Sequence, residues 1–313
     1  MANSYLYTFN YNDHHYELCK LESRQLFNKQ VEQKCLISNQ KIDPNISPFI
    51  KSRLDIITSA IEYKEFLQLI TDQHIQLHGF TVDYLILDGD TLAKEDRRKK
   101  QKDVGYCIQG GPDFVNPRIT YAICNHRNMW HFGVLTKENN DWHKHNNKPY
   151  SFSNSIGLVI AKTLVSIAAK GNKEYKLLDA CCGVGTVILE ACIAGFKIHG
   201  CDINVKAYYN AVRNIEHYKY SANIYHKDIK EHNQKYDAAI IDLPYNLYSK
   251  STDGIAQNII ESTSKLATRL IIVSIAEIEP MIVKAGLKII DFGIVIKRGK
   301  STLTRKIWVT EKS

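Results

Sequence analysis

From Leu177 onward, short apolar runs alternate with amphipathic stretches, the rhythm of a parallel sheet covered by helices. The pattern predicts strands over residues 176–179, 197–201, 222–225, 237–241 and 270–274. Between them it predicts helices over 187–194, 205–218, near 255–266 and near 278–285. In the second of these helices Val205, Tyr208, Tyr209, Val212 and Ile215 recur at helical spacing and mark the buried face. Two further strands, 287–296 and 304–310, are separated only by a short segment around Lys297-Arg298-Gly299-Lys300-Ser301. That is too short for a helical crossover, so the two must pair as an antiparallel hairpin.

The first half is less regular. It predicts a strand over 5–11, a helix over 17–27 with Leu18, Leu21, Leu26 and Phe27 inward, and strands over 80–87, 118–124 and 129–135. Around 141–149 the chain turns polar (Asp-Trp-His-Lys-His-Asn-Asn-Lys-Pro), as a linker does, and leads into a helix over 156–169. The expected division is therefore an α+β domain over 1–145 and an α/β domain over 146–313.

Composition narrows the function classes. Lys and Arg number 41 against 33 Asp and Glu, a formal charge of +8, which favours a polyanionic partner such as nucleic acid. None of the eight cysteines stands at a Cys-x-x-Cys spacing, so they read as reduced thiols, and no metal is implied. No stretch approaches a membrane span and no secretory leader is evident, so the expected location is cytoplasmic.

The candidate chemistry sits where the predicted strands end. Asp179-Ala180-Cys181-Cys182-Gly183-Val184-Gly185-Thr186 carries a strand through a small-residue turn into a helix, and its glycines allow a ligand to touch the backbone. Ile188 stands where a dinucleotide fingerprint needs its third glycine, and no Gly-Lys-Ser/Thr follows, so NAD, FAD and a phosphate loop are disfavoured. Asp202 ends the next strand about 20 positions on, where a carboxylate accepts from both hydroxyls of a ribose. Asp228, past the third strand, is placed to meet an adenine amino group.

The fourth strand, Ala238-Ala239-Ile240-Ile241, delivers Asp242-Leu243-Pro244-Tyr245 to the same edge. These residues suit an exocyclic amine whose lone pair is shared with an aromatic ring. Asp242 accepts one N–H and the Leu243 carbonyl the other, which draws the nitrogen toward tetrahedral geometry. Pro244 fixes the backbone and Tyr245 offers a ring on which a base can stack.

With these motifs in place, the chain resembles the tRNA guanosine-10 N2-methyltransferases, and more widely the enzymes that join a THUMP-type RNA-binding domain to a class I S-adenosylmethionine-dependent methyltransferase. The resemblance covers residues 145–310 and rests on Lys148-Pro149-Tyr150-Ser151, the glycine turn with Glu190-Ala191, the Asp242 tetrapeptide, and the closing Ser301-Thr302-Leu303-Thr304-Arg305-Lys306-Ile307. Over 1–145 it is looser and rests on Gly111-Pro112-Asp113-Phe114-Val115-Asn116-Pro117-Arg118. It implies a Rossmann-like sheet of five parallel strands plus the antiparallel hairpin, with a smaller α+β domain in front. It implies S-adenosylmethionine as cofactor, held by Asp179, Cys181, Gly183, Gly185, Thr186, Asp202, Ile203, Asp228 and Ile229, with Asp179 facing the amino end of the methionine moiety. It implies Asp242, Leu243, Pro244 and Tyr245 as the catalytic set and RNA, most readily tRNA, as the partner. Relatives commonly carry proline where Ala180 and Leu243 stand, which leaves the target base open. The alternatives are a DNA adenine or protein glutamine methyltransferase, since both use a similar tetrapeptide, and an RNA-binding or assembly protein without turnover. The run 94–102 is a candidate phosphate contact, and the basic residues Lys297, Arg298, Lys300, Arg305 and Lys306 cluster near the final hairpin, where they either flank the substrate or solubilise an edge strand.

Overall fold

The computed structural model describes residues 4–152, 155–244, 253–297 and 303–312. It divides into two compact units, the first made of residues 1–10, 30–44 and 49–139 and the second of 11–29, 45–48 and 140–313. Residues 11–29, expected in the first domain, thus join the second. The expected linker at 141–149 is instead largely a 3-10 turn, Asp141–Asn147, with Trp142 and His145 buried.

The first unit is built on β1 (Tyr5–Phe9), β2 (Cys35–Ser38), β3 (Ile50–Ala60), β4 (Phe80–Tyr84), β5 (Ile119–His126) and β6 (Met129–Lys137), in the order β2-β1-β3-β6-β5-β4. Among the described strands of this sheet, β4 and β5 pair in parallel and the others antiparallel. Helices α2 (Tyr63–Thr71) and α3 (Lys94–Tyr106) bring Phe66, Ile70 and Val104 against Tyr121, Ile123 and Phe132. The pattern of apolar positions misses β3 because its buried positions include Ser52 and Arg53. The Arg53 guanidinium is satisfied by Asp55 and the Ile42 carbonyl, so a charged side chain sits in a central strand. At Gly133 a side chain would run into the Asp55 carbonyl beside a bulge in β3, a close approach that requires glycine.

His131 in β6 is buried against the Ser59 hydroxyl at 2.7 Å, and burial, reinforced by His126, lowers its pKa from 6.5 to about 4. The unfolded chain therefore binds the proton first. The stabilising contribution is complete above pH 6.5 and is lost as pH falls toward 4. Taking the protein from pH 7 to pH 5 is expected to cost about 1–2 kcal/mol of unfolding free energy, and His131→Asn should flatten that dependence in urea titrations.

The second unit carries β7 (Lys176–Asp179), β8 (Lys197–Asp202), β9 (Asn223–His226), β10 (Tyr236–Asp242), β11 (Ala267–Ser274), β12 (Leu287–Lys297) and β13 (Leu303–Lys312). Their order is β12-β13-β11-β10-β7-β8-β9, with β7 to β11 mutually parallel and β12–β13 the antiparallel hairpin. This is the Rossmann-like class I arrangement that the resemblance implies. Helices α1 (Tyr16–Phe27), α4 (Leu158–Ala169), α5 (Thr186–Ile193) and α6 (Val205–His217) pack in succession along one side. On the other, α7 (Asp253–Leu266) and α8 (Glu279–Lys284) set Ala256, Ile260 and Ile282 in one core cluster with Ile241, Leu270 and Trp308. Helix α1 is held to this unit by the Arg24 guanidinium, which donates through both Nε and Nη2 to the Asp291 carboxylate at 3.0 and 2.8 Å, a bidentate pair. No helix among the described residues is long and apolar enough to cross a membrane.

Candidate active site

Parallel strands end at one edge of the sheet, and residues at their carboxyl ends converge there. Register places Ile240 beside Asp179 and Asp179 beside Gly200, so Asp179, Asp202 and Asp242 come off neighbouring strand ends. They line one cavity of about 240 Å3 with Cys181, Gly183, Thr186, Leu243 and Pro244. Of the residues expected from the sequence, Gly185, Ile203, Asp228 and Ile229 are not among its lining, and Tyr245 lies outside the described residues.

The glycine turn is locked from three directions. The Cys182 N–H donates to the Cys201 carbonyl at 3.0 Å, and the Gly183 N–H to Asp202 Oδ2 at 2.8 Å. Gly183 has a φ of +54° and open space where a side chain would be, so a ligand can approach the main chain there. Gly185, at φ +80°, lies against Ala211 of α6 and serves helix packing. Asp202 Oδ1 also accepts from the Asn204 N–H at 2.8 Å, and Asn204 caps α6 by accepting from the Lys206 and Ala207 N–H groups.

Asp228 caps the 3-10 turn Ile229–Glu231 by accepting from the Lys230 N–H and pairs with the Lys230 ammonium at 3.2 Å. Ile229 is buried in the core, whereas Ile203 is 68% exposed next to Asp202. Leu243 is buried too, in the cluster with Ile272 and Ile282, and its N–H donates to the Val273 carbonyl at 3.0 Å. The Leu243 side chain thus anchors this peptide in the core.

Sequence reasoning missed Phe152, Ser155, Ile156 and Asn204 in the lining, together with the residue that positions that wall. Asn214, fully buried on α6, accepts from the Tyr150 N–H at 3.1 Å and donates to the carbonyls of Tyr150 and Val184, both at 2.9 Å. One side chain thereby ties the segment entering the site to the glycine turn. An asparagine inside a helix carries no sequence signal of that role, because its partners are distant in the chain.

The electrostatics are one-sided. Burial pushes the Asp179 carboxyl well above the usual carboxylate range, and Asp242 and Asp202 add to the rise. Burial also raises Asp202, against the two N–H groups that favour its charged form. Among the described residues, none lining the cavity is lysine or arginine. Burial, with Asp202 and Asp179 adding, raises the thiols of Cys181 and Cys182, so neither is a nucleophile at neutral pH. A ligand with cationic groups fits this donor set, as does one offering a partner to the Thr186 hydroxyl, which is buried there without one. Both are properties of S-adenosylmethionine, with its ammonium and sulfonium. Among the described residues no group of three or more His, Cys, Asp or Glu side chains is placed to hold a metal ion. Asp202→Ala should open the turn by removing the acceptor of the Gly183 and Asn204 N–H groups. We expect cofactor affinity, read by isothermal titration calorimetry, to fall about 10- to 100-fold, with a smaller change in turnover at saturating cofactor.

The chain is similar to several known methyltransferases. Residues 152–277 match the methyltransferase small domain family. A tRNA (guanine(10)-N2)-dimethyltransferase of Methanocaldococcus jannaschii is 23% identical over 259 residues, covering 76% of this chain and 70% of the relative. Its counterpart from Methanothermobacter thermautotrophicus is 26% identical over 124 residues, 39% of this chain and 36% of the relative, so that alignment spans about a third of the relative's length. Among solved structures, TrmN from Thermus thermophilus aligns over 99% of this chain and 100% of its own at 12% identity and a TM-score of 0.48. Magnesium protoporphyrin IX methyltransferase from Synechocystis, with bound SAM, aligns over 56% of this chain and 93% of its own at 20% identity and a TM-score of 0.44. Residues 152–277 are a methyltransferase domain, of the class that draws its methyl group from S-adenosylmethionine.

Proposed function

We propose that the protein methylates the exocyclic N2 of a guanosine in tRNA. The observation that carries the reading is the position of Asp242, Leu243 and Pro244, which line the same cavity as the glycine turn and Asp202. The cofactor, when bound, supplies an electrophilic methyl group. Asp242 accepts one N–H of the amine and the Leu243 carbonyl the other, so the lone pair is freed from the ring and aimed at the cofactor. The buried Leu243 side chain and its N–H bond to Val273 hold that carbonyl in place without the double proline of relatives. Asp202 and the Gly183 N–H fix the turn against which the nucleoside part of the cofactor lies. A base in a duplex must first be flipped out.

Two relatives described as tRNA (guanine(10)-N2)-dimethyltransferases support guanosine in tRNA, and a formal charge of +8 suits a polyanionic substrate. The first unit is read as the RNA-holding, THUMP-like part. Its helix α3 exposes Arg98, Lys99 and Lys102. Lys100, by contrast, is committed to the rings of Tyr63 and Trp130, at 3.4 and 4.5 Å.

The test is methyl transfer from labelled S-adenosylmethionine to separate pools of tRNA, ribosomal RNA and genomic DNA, with mass identification of the product nucleoside. N2-methylguanosine from tRNA supports the reading. Methyladenosine, or product from DNA alone, overturns the substrate and keeps the chemistry.

A further inference from the structure

The second unit contains another cavity, of about 530 Å3, next along the chain from the carboxylate-lined one. Phe152, Ser155 and Ile156 line the first, and residues 157–160 line the second. Their chemistry is opposite in sign. Among the described residues, the first is lined by three aspartates and no lysine or arginine, and the second by no carboxylate but by His14, His143, Asn146 and Arg305. Arg305, one of the basic residues clustered near the final hairpin, is 2% exposed. Asp242 pairs with Val273, Val273 with Ile307 and Ser274 with Lys306, so Arg305 stands at the sheet edge that carries Asp242.

Two independent features mark the cavity as a place for an acceptor. The amino end of α4, a helix of 12 residues, enters its lining, and the N-cap Gly157 supplies no side-chain cap. The first N–H groups of that helix have no intrahelical partner. Trp142, 4% exposed, also lines the cavity, and its indole N–H is buried with no hydrogen-bond partner. The remaining walls, including Leu158, Ile160 and Val295, are apolar.

We infer that this cavity holds a nucleotide of the substrate strand flanking the base presented at Asp242. The helix end, the indole N–H and Arg305 receive its phosphodiester, and the apolar walls take its sugar and base. A bare anion would use the donors and leave the walls uncovered. The inference rests on the nucleic-acid reading of the neighbouring site, and it assigns phosphate contact to the methyltransferase unit as well as to the first unit.

The experiment is fluorescence anisotropy of the full chain with a fluorescein-labelled single-stranded RNA of about 12 nucleotides, long enough to span both cavities. His143→Glu combined with Asn146→Asp places negative charge at two exposed rim positions without touching the core. We expect oligonucleotide affinity to drop about tenfold or more, with a shallower salt dependence, while S-adenosylmethionine affinity is unchanged. Arg305→Gln, checked by thermal melting for folding, should act in the same direction. Unchanged affinity and salt slope in the folded variants overturn the inference even if tRNA methylation is found. A loss of binding with no methylated nucleoside from any pool keeps the cavity's role and removes the substrate reading instead.

Discussion

Asp242→Ala is expected to lower single-turnover methyl transfer by about 100- to 1000-fold, the effect of removing one acceptor placed where charge develops. Affinity for S-adenosylmethionine should change far less. Asp242 ends β10, lines the cavity and lies close enough to Asp179 to push the Asp179 carboxyl upward. An amine conjugated with a purine ring is a weak nucleophile, so the site must weaken that conjugation, and only an acceptor facing the N–H does so. Asp242→Asn keeps one carbonyl oxygen and should retain part of the rate. Asp202→Ala provides the contrast, because its carboxylate holds the glycine turn through Gly183 and Asn204. The pair of variants therefore separates the two roles: rate for Asp242, cofactor affinity for Asp202. If calorimetry finds the same loss of cofactor binding in both alanine variants, with equal rates at saturation, Asp242 is a cofactor ligand and the assignment fails.

The site's skeleton was legible because buried parallel strands announce their ends. Ala238 to Ile241 is uniformly apolar, all four residues are fully buried, and the aspartate that breaks the run stands at the sheet edge. The same logic located Asp179 and Asp202. Asp228 is not among the lining of that cavity, and its carboxylate makes a local cap and the Lys230 ion pair. The strand β3 was hidden for the opposite reason. Its buried Arg53 and Ser52 have partners on other segments, so polarity along the chain does not report exposure. The wall formed by Phe152, Ser155 and Ile156 was invisible because it is set by Asn214, a contact between residues far apart in the chain. Helix α1 was read correctly as a helix, but nothing local to it says that Arg24 and Gln25 both reach Asp291, which places it in the second unit.

His145→Ala is expected to cost about 1–3 kcal/mol, the range for leaving a buried hydrogen-bonding group without its partner. His145 and Glu190 are both fully buried, with Nδ1 and Oε1 2.7 Å apart, and Nε2 lies 3.1 Å from the Tyr220 hydroxyl. Without the imidazole, the Glu190 carboxylate stays in the core with its second oxygen already unpartnered. For a unit of this size the loss corresponds to a fall in melting temperature of about 2–12 °C. Glu190→Gln should be milder, because an amide oxygen still accepts from the ring and carries no charge to desolvate. The pair also links the 3-10 turn Asp141–Asn147 to α5, the helix that begins at the glycine turn, and that 3-10 turn runs into the segment lining both cavities. His145→Ala should therefore weaken cofactor binding at temperatures where the protein remains folded, and Glu190→Gln should not. A normal melting temperature in His145→Ala would show that the pair is not what holds this segment to α5.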